Sequence, residues 1–379
     1  MKHYKLMIPG PVDVEDEVLA AMSSASMPHY GADWLEIYYD VIAMLKQVFQ
    51  TENDVLLVPG PGSAALDAAL GSLLAPGDLV CIPVSGFFSR RLIKIANANG
   101  LHVLPVDFAQ GQPVETETLR QRMAEQREME RRSGDQPRLR ALAVVHHETS
   151  TGVLNPLPEI VAVAREFDLP VIVDAVSSMG GVPLPVDEWG IDVCVTVANK
   201  CLATPPGITI LSVSPRAWEM IAAQENSGRG WYLNLSIWRS YMDNWAWHPY
   251  PITLPTNNII ALQVSLKRIL AEGLEAHYTS YVRASSLVRQ GLRDLGFEMF
   301  VAEEWACPVI SAVRARPDAP TGELHDFLRD EHGILIAGGL DDLRGAIFRV
   351  GHMGKAASQE YSQAFLQGVE DFLRRRGLI

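Results

Sequence analysis

The sequence predicts an α/β protein, with a large domain built on an open, mostly parallel sheet and a smaller C-terminal α+β domain. Three observations lead there. Short apolar runs alternate with helix-like segments from about residue 55 to residue 214. Those runs carry little polar alternation, which is how parallel strands buried on both faces read. After about residue 255 the pattern changes to long helical stretches with a few shorter strand candidates. Strand–helix repetition implies an open sheet joined by right-handed crossovers.

In chain order, VLLVPG (55–60) reads as a strand and SAALDAALGSLL (63–74) as an amphipathic helix ending near Pro76-Gly77. LVCIPVS (79–85) is strand-like, RRLIKIANANG (90–100) helical and HVLPVDF (102–108) strand-like. AEQREMERRSGDQPR (124–138) is charge-dense and ends in turn residues, as a solvated helix and loop would. ALAVVHHE (141–148) is a strand, IVAVAREF (160–167) a helix and LPVIVDAV (169–176) a strand. DVCVTVANK (192–200) and GITILSVS (207–214) complete the series. Residues 257–296 form a long helical stretch broken at Gly273, followed by strands in PVISAVRA (308–315) and AIFRVGH (346–352) and a terminal helix. The expected division is an N-terminal segment over 1–20, a large domain over 21–260 and a small domain over 261–379. No repeat or low-complexity tract is visible.

The 379 residues are 48% hydrophobic and 20% charged, with a mean hydropathy of +0.06. This is the composition of a soluble globular protein. A net charge of −13 argues against nucleic acid or an anionic membrane as the main partner, and leaves room for a local basic pocket. Cys81, Cys194, Cys201 and Cys307 are scattered, with neither a CxxC pair nor metal-ligand spacing. That usage fits a reduced compartment and no metal site. The N-terminus MKHYKLMIPGP lacks the apolar run of a signal peptide. No apolar stretch reaches the roughly 18 residues of a spanning helix. The expected compartment is the cytosol.

In open α/β sheets a ligand sits outside the carboxyl ends of the strands. Pro59–Ser63, Ser85–Phe88, Glu148–Thr151, Asp174 and Asn199-Lys200 all fall at such ends. Asp174, closing an apolar strand, reads either as a cap for the next helix or as a carboxylate that keeps a cofactor pyridine nitrogen protonated. Lys200 lies between an apolar strand and a small, proline-rich turn. It reads either as a snorkelling lysine or as an amine whose lowered pKa lets it form an imine. In VPGPGSAALDAA (58–69), Gly60 and Gly62 allow close backbone approach, and the amides of Gly62, Ser63 and Ala64 would point at an anion from a helix N-terminus. Phe88 covers a planar ring or fills the core. Arg349, in an apolar strand, needs a partner: either a substrate anion gripped bidentately or an acid such as Glu360.

Taken together, these motifs resemble the class V, fold-type I pyridoxal-phosphate (PLP) enzymes, specifically the alanine–glyoxylate/serine–pyruvate aminotransferase group. The resemblance runs from IPGPVDVEDEVLAAM (8–22) through HHETSTGVLNPL (146–157), VDAVSSMGG (173–181), ANKCLATPPG (198–207) and YPITLPTN (250–257) to FRVGHMG (348–354). The separation of 26 between Asp174 and Lys200 (200 − 174) fits that group as well. The resemblance implies that Lys200 carries the cofactor as an imine, Asp174 partners its ring nitrogen and Val176 packs under the ring. Phe88 would stand over the ring, with Thr149 near the phenolic oxygen. Gly62, Ser63 and Asn199 match phosphate-side positions, although Pro61 replaces a serine common in relatives and removes a hydroxyl and an amide donor. Tyr250 and Thr253 match a pair that reaches the phosphate of the neighbouring subunit's cofactor, which implies a homodimer with shared active sites. Arg349 matches the substrate-carboxylate arginine. Gly10, in the Pro9-Gly10-Pro11 segment, is a further candidate substrate contact. His29 either lines the same entrance or makes an ordinary polar contact.

The expected reaction is amino transfer from a small amino acid, alanine or serine, to glyoxylate or pyruvate. The 2-aminoethylphosphonate–pyruvate transaminases share ETSTGVLNP and the arginine and are the alternative. Pyridoxamine–pyruvate transaminases are also similar, but carry a Glu and an Arg where this chain has Pro61 and Leu340. A lyase or desulfurase of the same fold is the alternative of another class. A desulfurase needs a mobile cysteine, whereas Cys307 leads straight into a strand and reads as core. A non-enzymatic PLP-binding domain fits poorly, because lysine, aspartate and arginine are all present and no DNA-binding segment is attached. The tryptophan-rich stretch 230–250 reads as an interface.

Overall fold

The computed structural model describes residues 3–133, 136–224 and 230–379. Seven strands form the large sheet: β1 (Asp54–Pro59), β2 (Leu79–Val84), β3 (His102–Asp107), β4 (Leu139–Val145), β5 (Val171–Asp174), β6 (Val193–Val197) and β7 (Ile208–Val213). Their spatial order is β1-β7-β6-β5-β4-β2-β3. Six strands run parallel, and β7 lies antiparallel between β1 and β6. Every residue of β2, β5, β6 and β7 is buried, so the centre of the sheet is covered on both faces. Strand β3 closes one edge and alternates exposed with buried positions.

The sheet is mostly parallel, as the sequence predicts, and β7 is its antiparallel member. An apolar run carries no direction, and β7 returns from β6 as a long hairpin instead of through a crossover.

Helices α1 (Asp16–Met22) and α2 (Ala32–Phe49) precede the sheet, and α3 (Gly62–Leu73) and α4 (Phe87–Ala98) follow β1 and β2. Next come α5 (Thr116–Arg132), α6 (Leu157–Glu166), α7 (Val186–Trp189), α8 (Pro215–Ala222) and α9 (Leu235–Asn244). The charge-dense helix α5 is mostly exposed; residues 134 and 135 of the loop after it lie outside the described residues. The long helical stretch divides at Gly273 (φ +88°) into α10 (Thr256–Glu272) and α11 (Leu274–Asp294). Helix α10 spans position 260/261, and Ile259, Leu262, Leu266 and Ile269 pack into the core of the large sheet.

A second core surrounds a three-stranded sheet made of β8 (Ile310–Arg314), β9 (Ala337–Gly338) and β10 (Ile347–Gly351), in the order β8-β10-β9. Helices α12 (Thr321–Phe327) and α13 (Gln359–Arg375) complete it. Met7 of the N-terminal segment is buried in this second core. Among the described residues no helix is long and apolar enough to cross a membrane.

Candidate active site

The carboxyl ends of β1, β2, β4, β5 and β6 share one edge of the sheet, and the turns leaving them converge there. A cavity of about 420 Å³ opens at this edge, lined by Gly60, Gly62, Val176, Asn199, Lys200 and Gly207 among others. A larger cavity of about 680 Å³ lies at the opposite edge, beside Leu139 and Pro170. Its arginines are largely matched within the chain, Arg127 by Glu130 and Arg216 by Asp168, at 3.0 and 2.8 Å.

Asp174 is the last residue of β5 and is buried. Its Oδ1 accepts a hydrogen bond from the Val176 amide at 3.0 Å, and among the described residues no ion pair reaches it. Burial, and secondarily the negative charge of Glu148, push its carboxyl up to about 6. Lys200 sits in the turn between β6 and β7. Burial brings its ammonium down to about 8, with Arg349 and Arg91 acting in the same sense. Nζ donates to the Pro9 carbonyl. The N-terminal segment therefore lies over the lysine, and Gly10 takes a φ of +119° that L side chains rarely adopt, with the place of a Cβ 2.6 Å from Nζ.

The pocket wall is shaped by an absent side chain. A Cβ on Gly62 would lie 2.7 Å from Val176 Cγ2 and 3.2 Å from Val197 Cγ1. Gly62, Ser63 and Ala64 form the first turn of α3. The Ala64 amide donates to the Pro61 carbonyl at 2.8 Å, so it does not serve an anion as the sequence reading expects. The turn tightens on itself and leaves the amides of Gly62 and Ser63.

Glu148 has a role that sequence reading missed. Its buried carboxylate accepts from the Phe88 amide (3.1 Å), the Ser89 amide (3.0 Å) and the Ser89 hydroxyl (3.2 Å), and also from Ser150. With the Ser89 hydroxyl, which accepts from the Ser85 and Gly86 amides at 3.1 and 3.0 Å, it caps helix α4, which starts at Phe87 and not at residue 90. Phe88 is thereby fixed at the mouth of the strand edge, with Arg91 stacked on its ring at 4.9 Å. The only local signal was an acid at a strand end.

Arg349, in the middle of β10, is buried. Nε and Nη2 donate to the Gly338 carbonyl at 3.0 and 2.8 Å, and Nη1 donates to the Thr149 carbonyl at 2.9 Å. The Glu360 alternative is overturned, because Glu360 pairs with Lys5 at 2.6 Å. Burial lowers the guanidinium to about 10, so it is a cation at neutral pH. Thr149 thus meets the site through its backbone.

Tyr250 and Thr253 stand in a different cluster. The buried Tyr250 hydroxyl accepts from Trp34 Nε1 at 2.6 Å and donates to the His29 carbonyl. The exposed Thr253 hydroxyl lies 3.3 Å from His29 Nε2, and His29 Nδ1 is 3.0 Å from His248 Nε2. Cys307 is buried with its thiol pushed up to about 12, the state of a core residue. Among the described residues no group of three or more potential ligands forms a metal site.

The class-V aminotransferase family model matches residues 14–341. An uncharacterized aminotransferase of Methanocaldococcus jannaschii is 36% identical over 98% of this chain and 93% of its own. The (S)-ureidoglycine–glyoxylate transaminase of Bacillus subtilis is 30% identical over 98% of this chain and 90% of its own. The crystal structure of alanine–glyoxylate aminotransferase from Nostoc sp. superposes with a TM-score of 0.91 at 30% identity, covering 99% of this chain and 96% of that one. With the fold, the strand-edge pocket and these likenesses in agreement, the chain belongs to the class-V aminotransferases, PLP-dependent enzymes of fold type I.

Proposed function

We propose that this aminotransferase moves the amino group of a small amino acid, alanine or serine, to glyoxylate or pyruvate, with Lys200 and Asp174 as its catalytic pair. One observation carries the reading: a lysine lowered to about 8 lines the pocket at the strand edge, and an aspartate raised to about 6 ends β5 at the same edge, near enough for each to feel the other's charge. Glyoxylate as acceptor draws on the names of the two relatives above.

The residues fit PLP on three counts. Asp174 is buried with no ion-pair partner among the described residues, and a protonated pyridine nitrogen would supply one. Gly62 lets α3 close on Val176, and the cavity lined by Gly62, Val176 and Lys200 leaves room for a flat ring. The Gly62 and Ser63 amides at the start of α3 suit a phosphate. When bound, the cofactor supplies an aldehyde carbon for an amine and a ring that takes up the electron pair left at the substrate Cα.

The chain's own groups do the rest. Lys200 Nζ would hold the cofactor and, as a free amine, would move a proton to and from the substrate Cα. The Asp174 carboxylate would keep positive charge at the ring nitrogen. Val176 and Phe88 would hold the ring, and Thr149 and Asn199 would serve its polar groups. Arg349 has five N–H donors and uses three within the chain, which leaves one on each terminal nitrogen as a fork for the substrate carboxylate. Gly10 borders the substrate space beside Lys200.

The protein is further a homodimer of the cytosol in this reading. Tyr30, Trp231, Trp245 and Trp247 are large apolar side chains left exposed on one chain, and Thr253 is exposed within the same stretch of sequence as the last two. Four buried free cysteines support a reducing compartment.

The test is the visible spectrum of the holoenzyme during separate additions of alanine, serine, aspartate and 2-aminoethylphosphonate. Conversion of the cofactor from its aldehyde to its amine form by alanine or serine is expected. A response to 2-aminoethylphosphonate alone would move the enzyme to phosphonate substrates, which the same fork could grip.

A further inference from the structure

We propose that His147 is a positioning residue, which through the Ser177 carbonyl ties the turn that aims Asp174 to the turn that carries Lys200. The inference rests on the assignment of those two residues as the catalytic pair.

The geometry starts from four consecutive residues just beyond β4. His146 Nδ1 lies 3.0 Å from the Ser178 hydroxyl, and His147 Nδ1 lies 3.3 Å from the Ser177 carbonyl. Glu148 caps α4 beneath Phe88, and the Thr149 carbonyl holds Arg349. Each residue of this segment reaches a different part of the site.

His147 makes the link between the two turns. The Ser177 hydroxyl donates back to the His147 carbonyl at 3.2 Å, so the two residues are joined twice. On its other side the Ser177 carbonyl accepts the thiol of Cys201, the neighbour of Lys200, at 3.6 Å. Ser177 itself follows Asp174 by three positions, in the turn that the Val176 amide closes on the aspartate. One carbonyl oxygen is therefore shared by the segment after β4, the turn after β5 and the turn after β6.

Facing a carbonyl, Nδ1 must carry the proton, which leaves Nε2 as a bare acceptor; the ring is buried and that atom has no partner within the described residues. Burial holds the imidazole neutral, its pKa down to about 3. A leucine of similar volume would fill the space without the N–H, whereas an asparagine amide can stand where Nδ1 stands.

The experiment compares holoenzymes of wild type, His147→Leu and His147→Asn. It reads the pH midpoint of the cofactor's visible band, together with kcat and KM for alanine. His147→Leu is expected to move the midpoint by about half a pH unit or more and to lower kcat roughly tenfold or beyond. KM should stay within about threefold, and His147→Asn should recover most of both changes. A wild-type midpoint and kcat in His147→Leu would overturn the proposal, as would an asparagine variant no better than leucine. Should His147→Leu fail to fold, Cys201→Ala removes the opposite arm. It is expected to move the midpoint in the same measurement, and an unmoved midpoint counts against the tie. A Lys200→Ala control separates the two ideas. If that variant keeps the wild-type band, the catalytic assignment itself fails. If the band depends on Lys200 and ignores His147, only the present inference does.

Discussion

Burial moves Asp174 and Lys200 in opposite directions, and the shift of the carboxyl has a thermodynamic consequence. Asp174 holds its proton more tightly in the folded chain than in the unfolded one, its carboxyl rising from 3.8 to about 6. That contribution to the apo-protein's stability is fully present below the unfolded value and is lost as pH rises through about 6. A cationic ring nitrogen reverses the balance, because it interacts best with the ionised carboxylate. The rise in Tm on adding PLP is therefore expected to widen between about pH 5 and about pH 7. In Asp174→Asn that widening should disappear, whatever pH dependence Lys200 contributes in both proteins. Thermal melts with and without cofactor across this range decide it, and a wild-type gain independent of pH would remove Asp174 from the cofactor.

At the scale of elements, Glu148 shows how one side chain sets a helix start. Its carboxylate only accepts, and it is surrounded by amide and hydroxyl donors. Glu148→Gln places an NH2 against those donors, and urea denaturation should show a loss of about 2–4 kcal/mol. An unchanged midpoint would mean that the start of α4 is held by Ser89 and packing without Glu148. Such a cap is invisible in sequence because its donors lie sixty residues away, so the reading started α4 three residues late. Direction was likewise hidden in β7, whose apolar run would serve either way. The pattern of α2, with Trp34, Tyr38, Val41, Leu45 and Val48 on one face, was present in the sequence but was passed over. What could be read was the set of strand ends, because buried strands need apolar runs and their ends carry the polar residues. Asp174 and Lys200 stood out on those grounds. The ties of Arg349 to two carbonyls did not, since backbone acceptors leave no trace in residue type.

At the scale of the whole molecule, the exposed aromatic side chains bear on assembly. Trp247 is 58% and Tyr30 is 55% exposed, unusual for such large apolar groups. If a second copy covers them, burial of about 800 Å² per partner is the scale a stable interface needs. Trp247→Asp is then expected to shift sedimentation toward the monomer at micromolar concentration. It should weaken PLP binding as well, because Thr253 would no longer face a neighbouring site. A wild-type chain that sediments as a monomer would refute the shared-site arrangement.

The hairpin of β6 and β7 bears on how far Lys200 can travel. Both legs are bonded to neighbouring strands, and the connection is pinned by the Ala198 amide to Ile208 and the Thr204 amide to Ala198, at 3.0 and 3.1 Å. A tip clamped on both sides gives the lysine a stiff mount, so its backbone has little freedom to follow the amine. In the proposed reaction, the reach of Nζ is then set by the rotations of four methylene groups about a fixed pivot. Lengthening or shortening that arm by one carbon would move the reactive atom without disturbing anything else in the sheet.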